Sequence, residues 1–351
     1  MDAWRFILAS LRHYRRIHIS VALGVAVATA VLTGALLVGD SVRGSLRDLT
    51  LQRLGRIDSV IIAGHPFRAA LAGELAADAE FKKYFASAQP ALLLNGTLQA
   101  GSGATARRAT GISVVGVAAD FWSLGQGGPA QALVEDEVAL TEPIARELGV
   151  VVGDSVLIRI PIGSSIPADS TLGEKSDTSR SRRLKVAAVL PVEGLARFGI
   201  MPSQQLPRNA FVPLAALQDL LKQPGKANAI LVATEQIKRA AGADAERSLE
   251  KALRPTLEDY GLKLEHLTSP TDVYQISADQ LVLPDEVVHA VEKVSDAGAQ
   301  PVVTYLANTI AAGEGAAKRK IPYSTITGVD SKPGLGPLLD EKGAPIALAD
   351  D

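Results

Sequence analysis

Histidine, cysteine and acidic residues are the side chains most often used to hold a metal ion. The five histidines stand at positions 13, 18, 65, 266 and 289, and they do not form a recognisable metal-binding pattern. The chain has no cysteine. The acidic run 135–137 lacks the glycine and the ligand spacing of a calcium loop. The sequence therefore predicts no metal site.

The motifs of nucleotide binding and hydrolysis are also missing from the sequence. There is no G-x-x-x-x-G-K-[ST] phosphate loop, no G-x-S-x-G nucleophile elbow and no H-E-x-x-H pair. The glycine-rich run Gly125 to Gly128 is followed by Pro129, which indicates a turn. The absence of cysteine excludes thiolate catalysis and disulfides, and it suits an oxidising compartment. We therefore predict no catalytic residue and no cofactor, so the chain is not expected to be an enzyme.

The polar, Gly/Ser/Pro-rich stretch 161–183 is predicted to be a loop and ends in a cluster of arginines. Its arginines, Arg180, Arg182 and Arg183, have two interpretations: a solvated loop, or a surface that binds an anionic lipid or partner. Over the whole chain 36 basic residues stand against 38 acidic ones. That balance predicts no nucleic-acid partner.

An uncharged segment of 21 residues, 19–39, predicts a transmembrane helix. At about 1.5 Å per residue it spans the roughly 30 Å hydrocarbon core. Four arginines precede it, at positions 5, 12, 15 and 16, so residues 1–18 are predicted to be cytoplasmic and residues 40–351 to be periplasmic or extracellular. A cleaved signal peptide is the alternative, although its apolar region is usually shorter.

Small side chains recur every fourth residue along this helix, at Ala22, Ala26, Ala30 and Gly34. Such a row lets another helix approach closely, so it predicts a helix-packing face toward further transmembrane helices or a second membrane-embedded chain. The alternative is that an alanine-rich segment produces the row by chance. Beyond the helix, apolar residues at positions 42, 46 and 49 keep helical spacing, which predicts a short stalk.

The fold class predicted for the outer domain is α+β. Residues 40–99 contain the stalk and a first β-α-β half, with strands at 57–63 and 91–99 around a helix at 67–85. Residues 229–270 contain a second half, with strands at 229–233 and 262–266 around a helix at 241–260. Between them, residues 100–228 form an inserted strand-rich lobe.

One short helix is predicted inside the lobe at Glu142–Leu148. Thr141 is expected to cap it, Pro143 lies in its first turn, and Gly149 can end it. The lobe's strands are expected at 112–117, 155–160 and 184–190.

An internal repeat links residues 88–117 to residues 299–329. Ala-Gln-Pro at 88–90 recurs at 299–301, and Gly116-Val117 recurs as Gly328-Val329. Glycine pairs at 101/103 and 313/315 and basic pairs at 107–108 and 318–319 keep the same order. Residues 271–351 are thus expected to be a partial second copy that is truncated, so the chain is predicted to be a fragment.

The segments 114–122, 137–150 and 211–218 together resemble the periplasmic core domain of MacB/FtsX-type ABC transporter permeases. The resemblance implies a protein of the bacterial inner membrane with a porter-like outer domain that contains an inserted lobe. Its implied partners are a separate cytoplasmic ATPase, membrane lipid and further transmembrane helices or a second permease chain, but no nucleic acid. It implies a permease subunit of an exporter or mechanotransmission complex whose periplasmic domain binds substrate or partner proteins. The alternative is a single-pass adhesion or sensor domain without an ATPase partner.

Overall fold

The computed structural model describes residues 3–162, 179–201, 205–235, 242–268, 272–278, 283–295, 299–313, 319–329, 338–339, 342 and 344–346. Several predicted features lie outside these residues. They are most of the polar stretch 161–183, the start of the helix predicted at 241, Gly315 and Lys318 of the repeat, and the last five positions.

Two helices begin the chain, α1 at Ala3–His13 and α2 at Arg15–Leu54. The predicted helix 19–39 is confirmed as part of α2, which continues as the predicted stalk for 15 further residues, 40–54. In the part of the chain that the structure describes, α2 is the one helix long and apolar enough to cross a membrane. None of its residues is buried in the protein.

An eight-stranded sheet forms the centre of the outer domain. Its strands are β1 Ile57–Arg68, β2 Ser87–Ala100, β3 Arg107–Val117, β4 Glu137–Thr141, β5 Ser155–Pro161, β6 Ser179–Leu190, β7 Asn209–Pro213 and β8 Lys226–Ala233. Their order is β1-β8-β2-β3-β7-β4-β6-β5. The five strands predicted between residues 57 and 190 are all present in this sheet, and each is longer than its apolar run.

The first half of the domain is a split β-α-β unit. β8 runs antiparallel to both β1 and β2, so it lies between the two strands that helix α3 connects. Helix α3 covers only Ala70–Ala77, because Phe67 belongs to β1 and the later part of the predicted helix forms a 3-10 turn at Phe81–Lys83. The helix predicted at 67–85 was therefore too long at both ends.

Six strands of the sheet close into a barrel. β2 pairs with β3 on one side, and its residues 97–100 also pair with β5, the last strand of the order. The barrel thus takes its first strand from the second half of β2, and its interior holds apolar side chains such as Leu98, Ile112, Leu140 and Ile158, all fully buried. A six-stranded barrel is narrow enough for side chains to fill it.

β8 separates two other apolar clusters by its alternating side chains. Ile230 and Val232 face helices α3 and α6 (Ala243–Ala252), whereas Ala229 and Leu231 face Phe121 and Phe211 on the opposite side. This alternation is the period of two expected of a strand buried on both faces. Helices α3 and α6 therefore lie on the same face of the sheet, as the sequence indicated.

The second β-α-β half departs from the prediction at its last strand. β9 (Leu262–Leu267) pairs with β10 (Val273–Ala278) in a separate two-stranded sheet and does not join the eight-stranded one. Only Leu262 of its six residues is buried, and the charged residues Lys263 and Glu265 lie on either side of the half-exposed Leu264. Such a strand has no apolar face wide enough for the core.

The helix predicted in the lobe is confirmed as α4, Glu142–Leu148, with proline in its first turn and left-handed Gly149 at its end. The capping role predicted for the Thr141 hydroxyl was wrong. Thr141 occupies the cap position, but its hydroxyl is fully buried and bonds to the backbone at Pro207 and Asn209 instead. Helix α5 follows at Leu214–Leu221, and α7 at Asp285–Val294.

The arginine cluster at 180–183 lies in strand β6, so the prediction of a loop at these positions was wrong. Arg182 has ion pairs with Glu135, Asp136 and Asp219 at 3.3, 2.8 and 3.1 Å. Its hydrogen bonds, above all to Asp136, raise the pKa of the guanidinium above its ordinary value. Arg182 therefore connects β6 to the segment before β4 and to α5, a structural role that neither interpretation included.

Both segments of the predicted repeat form antiparallel hairpins. β2 and β3 are joined by residues 101–106, and β11 (Val302–Ala312) and β12 (Arg319–Val329) by residues 313–318. Gly116 pairs with Leu92, and Gly328 pairs with Val303, which is the position equivalent to Leu92. A one-residue register shift between Gly96 and Leu98, absent from the second hairpin, accounts for the two sequence offsets of 211 and 212. The duplication itself stays a prediction.

Candidate functional site

The predicted helix-packing face lies in the middle of α2. Ala22, Ala26, Ala30 and Gly34 share one face because residues four apart stand above one another on a helix. No atom lies within 4 Å of the position that a Cβ on Gly34 would take. The face is open in this structure, and its use in helix packing stays a prediction.

The end of α2 is fixed to the outer domain through Gly55. Its φ of 58° and ψ of −126° lie in a region that glycine adopts far more easily than other residues. A Cβ at this position would lie 2.4 Å from the Leu124 carbonyl oxygen. The next residue, Arg56, donates its backbone N–H to the same oxygen at 2.8 Å and its guanidinium to the Ser123 carbonyl at 3.0 Å. The helix thus ends directly against the domain backbone.

The glycine-rich run predicted as a turn lies beside this junction. The Leu195 N–H donates to the Gln126 carbonyl at 2.6 Å, so two loops meet backbone to backbone. Gly127 and Gly194 have positive φ, and a Cβ on either one would approach a carbonyl oxygen of the other loop to 2.3 and 2.2 Å. The glycines therefore permit close backbone contact at the foot of the stalk. We call Gly55, Gly125, Gly127 and Gly194 the glycine junction.

A buried polar network holds the loop that follows the junction. The Asn209 side-chain amide donates to the carbonyls of Ala196 and Phe198 at 3.0 and 2.7 Å. Its backbone N–H donates to the Thr141 hydroxyl at 3.2 Å. Because Asn209 and Thr141 belong to neighbouring strands β7 and β4, the barrel itself positions residues 196–198.

A cavity of about 420 Å³ opens between this loop, the last turn of α2 and the strands β2 and β3. We call it the stalk cavity. Its apolar walls include Leu93, Val115, Phe198 and Ile200, and Met201 and Leu206 lie at its rim, 79% and 61% exposed. The volume falls in the range of about 300–1,000 Å³ that is usual for small-molecule sites.

Three arginines line the stalk cavity: Arg53 from α2, Arg197 from the loop and Arg208 from the residue before β7. No aspartate or glutamate is among the described residues that line it. The Nε atom of each arginine is buried and has no hydrogen-bond partner within the described residues. Only Arg208 of the three has an ion pair there, with Glu147 at 2.7 Å. The cavity therefore combines apolar walls with two guanidinium groups, of Arg53 and Arg197, that have no acidic partner within the described residues.

Sequence reasoning did not find these arginines. Arg53, Arg197 and Arg208 belong to three separate segments that only the tertiary fold brings together, and nothing in their spacing marks them. The available signal was weak: Arg197 and Arg208 flank an otherwise uncharged stretch that contains exposed apolar residues.

Other chemistry-bearing groups remain apart. His65 contacts the Asp259 carbonyl at 2.8 Å, and His266 stacks on Tyr274. Neither histidine lines the cavity. Within the described part of the chain, no group of three histidine, aspartate or glutamate residues is placed to hold a metal ion.

A comparison with known protein families identifies the family of this chain. The sequence profile of the MacB-like periplasmic core domain matches residues 20–251, about two thirds of the chain, from inside the apolar helix to α6. The chain belongs to this family. It thus carries an N-terminal apolar helix and a MacB-like periplasmic domain, related to components of ABC-type transporters. No curated protein matches it in sequence.

Two solved structures are similar to this chain. One is the periplasmic region of MacB from Actinobacillus actinomycetemcomitans, at 15% identity, covering 69% of this chain and 97% of that chain with a TM-score of 0.35. The other is the extracellular domain of YknZ, a noncanonic ABC-type transporter from Gram-positive bacteria. It is 10% identical, covers 61% of this chain and 91% of that chain, and has a TM-score of 0.34.

Proposed function

We propose that this chain is a permease component of an ABC-type exporter or mechanotransmission complex in the bacterial inner membrane. Its outer domain binds substrate or partner proteins, and ATP is hydrolysed by a separate cytoplasmic subunit. The observation that carries the proposal is the unbroken family match from the apolar helix into the outer domain. The separate ATPase is consistent with a sequence that has no phosphate loop.

The connection between helix and domain supports this proposal physically. A helix of 40 residues that ends against the glycine junction leaves no flexible linker between the membrane segment and the sheet. A displacement of α2 is therefore passed directly to the loop 194–198 and to the strands behind it. Such rigid coupling suits a protein that must relate events on the two sides of a membrane.

The test is to purify the full chain from its native membranes and assay ATP hydrolysis. We expect a co-purifying chain that carries a phosphate loop, and ATP hydrolysis that disappears when the phosphate-loop lysine of that chain is replaced by alanine. Expression of the present chain alone in a heterologous host is the control, and it should give preparations without this activity. Native preparations that contain no such chain and no ATP hydrolysis would contradict the proposal.

The exposed hairpin β11–β12 favours the second candidate, a membrane-anchored adhesion or sensor domain. Val303, Tyr305 and Ile321 on this hairpin are 61%, 51% and 59% exposed. Apolar side chains on an open hairpin are typical of protein contact surfaces. The two candidates are distinguished by the native purification, since a sensor domain needs no ATPase partner.

A further inference from the structure

We propose that the stalk cavity binds a single-chain amphiphile with an anionic head group, such as a medium-chain carboxylate. The proposal deepens the proposed function, because it names a ligand class for the outer domain. Its test measures binding to this chain without any ATPase, so the two proposals can fail separately.

The head group is specified by the three arginines. A carboxylate bound side-on to a guanidinium accepts hydrogen bonds from Nε and from a terminal nitrogen. The Nε atoms of Arg53, Arg197 and Arg208 are the donors that have no partner within the described residues. A buried donor without an acceptor is costly, so an anionic ligand satisfies groups that the described protein leaves unsatisfied. With no carboxylate in the described lining, charge complementarity favours an anion over a cation or a neutral ligand.

The apolar part of the ligand is specified by the walls. Leu93, Val115, Phe198 and Ile200 present apolar surface, and Met201 at the rim is an adaptable contact for a flexible chain. A free phosphate or acetate ion would leave this surface unused. The volume of about 420 Å³ suits one chain of moderate length and is too small for a complete two-chain phospholipid.

The position of the cavity indicates how such a ligand reaches it. Arg53 lies 14 residues beyond Gly39, the end of the uncharged segment. A helix covers roughly 20 Å over that distance. The cavity therefore lies outside the bilayer core, so its ligand arrives through water or after extraction from the membrane.

The experiment uses the full chain in nanodiscs of a zwitterionic lipid and a twelve-carbon carboxylate that carries a diazirine at its far end. After illumination, labelled peptides are identified by mass spectrometry. We expect saturable labelling of residues 93–94, 113–115 or 198–201, suppressed by dodecanoate but not by inorganic phosphate or dodecanol at the same concentration.

Arginine variants separate a binding site from partition into lipid. Arg53→Gln and Arg197→Gln should each lower cavity labelling about tenfold or more at subsaturating probe, because each removes a charged donor to the head group. Arg47→Gln is the matched control on the same helix, outside the cavity, and should leave labelling unchanged. A dodecanol analogue with the same diazirine, used at high concentration, should label the cavity of all variants equally and so verify that the cavity is intact.

Three results would overturn the proposal. Labelling confined to residues 19–39 would mean that the probe only partitions into the membrane. Equal labelling of wild type and both arginine variants would remove the head-group argument. Displacement of the probe by inorganic phosphate as effectively as by dodecanoate would show a simple anion site without preference for an apolar chain.

Discussion

At the scale of single residues, the best-defined interaction in the outer domain is the ion pair between Arg68 and Asp259. The guanidinium donates to both carboxylate oxygens at 2.7 to 3.2 Å, and Thr256 adds a backbone and a hydroxyl hydrogen bond. Burial alone would raise the pKa of Asp259, but hydrogen bonds from Arg68 and Thr256 outweigh it and lower that pKa to about 2. Asp259 therefore ties the 3-10 turn 257–260 to the end of β1.

The first prediction concerns the loss of this carboxylate. Asp259→Asn should lower the free energy of unfolding by about 2 kcal/mol. The reason is that Arg68 and Thr256 stabilise the ionised carboxylate in the folded state, whereas the unfolded state has no such contacts. That change corresponds to a fall in melting temperature of about 4–8 °C for a domain of this size. Scanning fluorimetry of the full chain in detergent measures it. The exposed ion-paired Asp244→Asn is the control, and an equal shift in both variants would refute the prediction.

The second prediction is the pH dependence of the same interaction. Because the folded-state pKa of Asp259 is lowered, its contribution is present above the unfolded-state value near 4 and is lost as the pH falls toward 2. The difference in melting temperature between wild type and Asp259→Asn should be constant from pH 7 to pH 5. It should shrink below pH 4 and be mostly lost at pH 2. A difference at pH 2 as large as that at pH 7 would assign the stabilisation to side-chain shape rather than charge.

The third prediction concerns Gly55 at the end of α2. Gly55→Ala should destabilise the outer domain by about 1–3 kcal/mol, because alanine is strained at this φ and ψ and its Cβ meets the Leu124 carbonyl oxygen. Gly44→Ala on the same helix is the matched control, since no atom lies within 4 Å of its Cβ position. It should be neutral or slightly stabilising. Comparable melting temperatures for the two variants would show that the junction tolerates displacement.

At the scale of secondary-structure elements, the sequence predicted those elements whose signal is local. The uncharged segment 19–39 and the proline and glycine around 142–149 predicted helices that the structure confirms. Both signals depend on neighbouring residues alone. The length of α3 was misjudged because the pattern of Ala, Leu and Glu continues past Ala77, whereas the chain turns at Asp78 to pack Phe81 into the core.

Closure of the barrel was not predictable from local patterns. It depends on the four residues 97–100 of β2, which pair with β3 on one side and with β5 on the other. Gly96 permits the approach, because a Cβ there would lie 2.9 Å from Val114 and 3.1 Å from the Arg159 carbonyl oxygen. In the sequence this glycine is indistinguishable from an ordinary turn residue. The arginines of the stalk cavity were missed for the same reason, since three distant segments meet only in the fold.

The fourth prediction is the orientation of α2. Four arginines before the apolar segment should hold the N-terminus in the cytoplasm. Alkaline phosphatase fused after residue 100 should therefore be active, because the enzyme requires export to mature. The same reporter fused to the N-terminus of the full chain should be inactive. Activity of the N-terminal fusion together with inactivity of the fusion after residue 100 would reverse the topology.

At the scale of the whole molecule, the stalk, the glycine junction and the barrel form one connected path. α2 ends at Gly55, the loop 194–198 contacts it, and Asn209 anchors that loop to β7 of the barrel. The stalk cavity lies along this path, with Arg53 on the helix and Arg197 on the loop. A ligand that bridges these two residues would alter the contact between helix and domain. If the stalk cavity binds a ligand as proposed, that binding would act on the contact between α2 and the outer domain through Arg53 and Arg197.

The fifth prediction tests the assignment of ATP chemistry to a separate chain. The full chain, purified alone, should show no saturable binding of a fluorescent ATP analogue and no ATP hydrolysis, because the sequence contains no G-x-x-x-x-G-K-[ST] loop to arrange backbone N–H groups and a lysine around the phosphates. The glycine-rich run at 125–128 does not supply one, since its backbone closes against Leu195 and Trp122. The measurement is an equilibrium titration in detergent, with a known ATPase under identical conditions as the positive control. Saturable binding that unlabelled ATP displaces would place nucleotide recognition in this chain and remove the need for a separate ATPase partner.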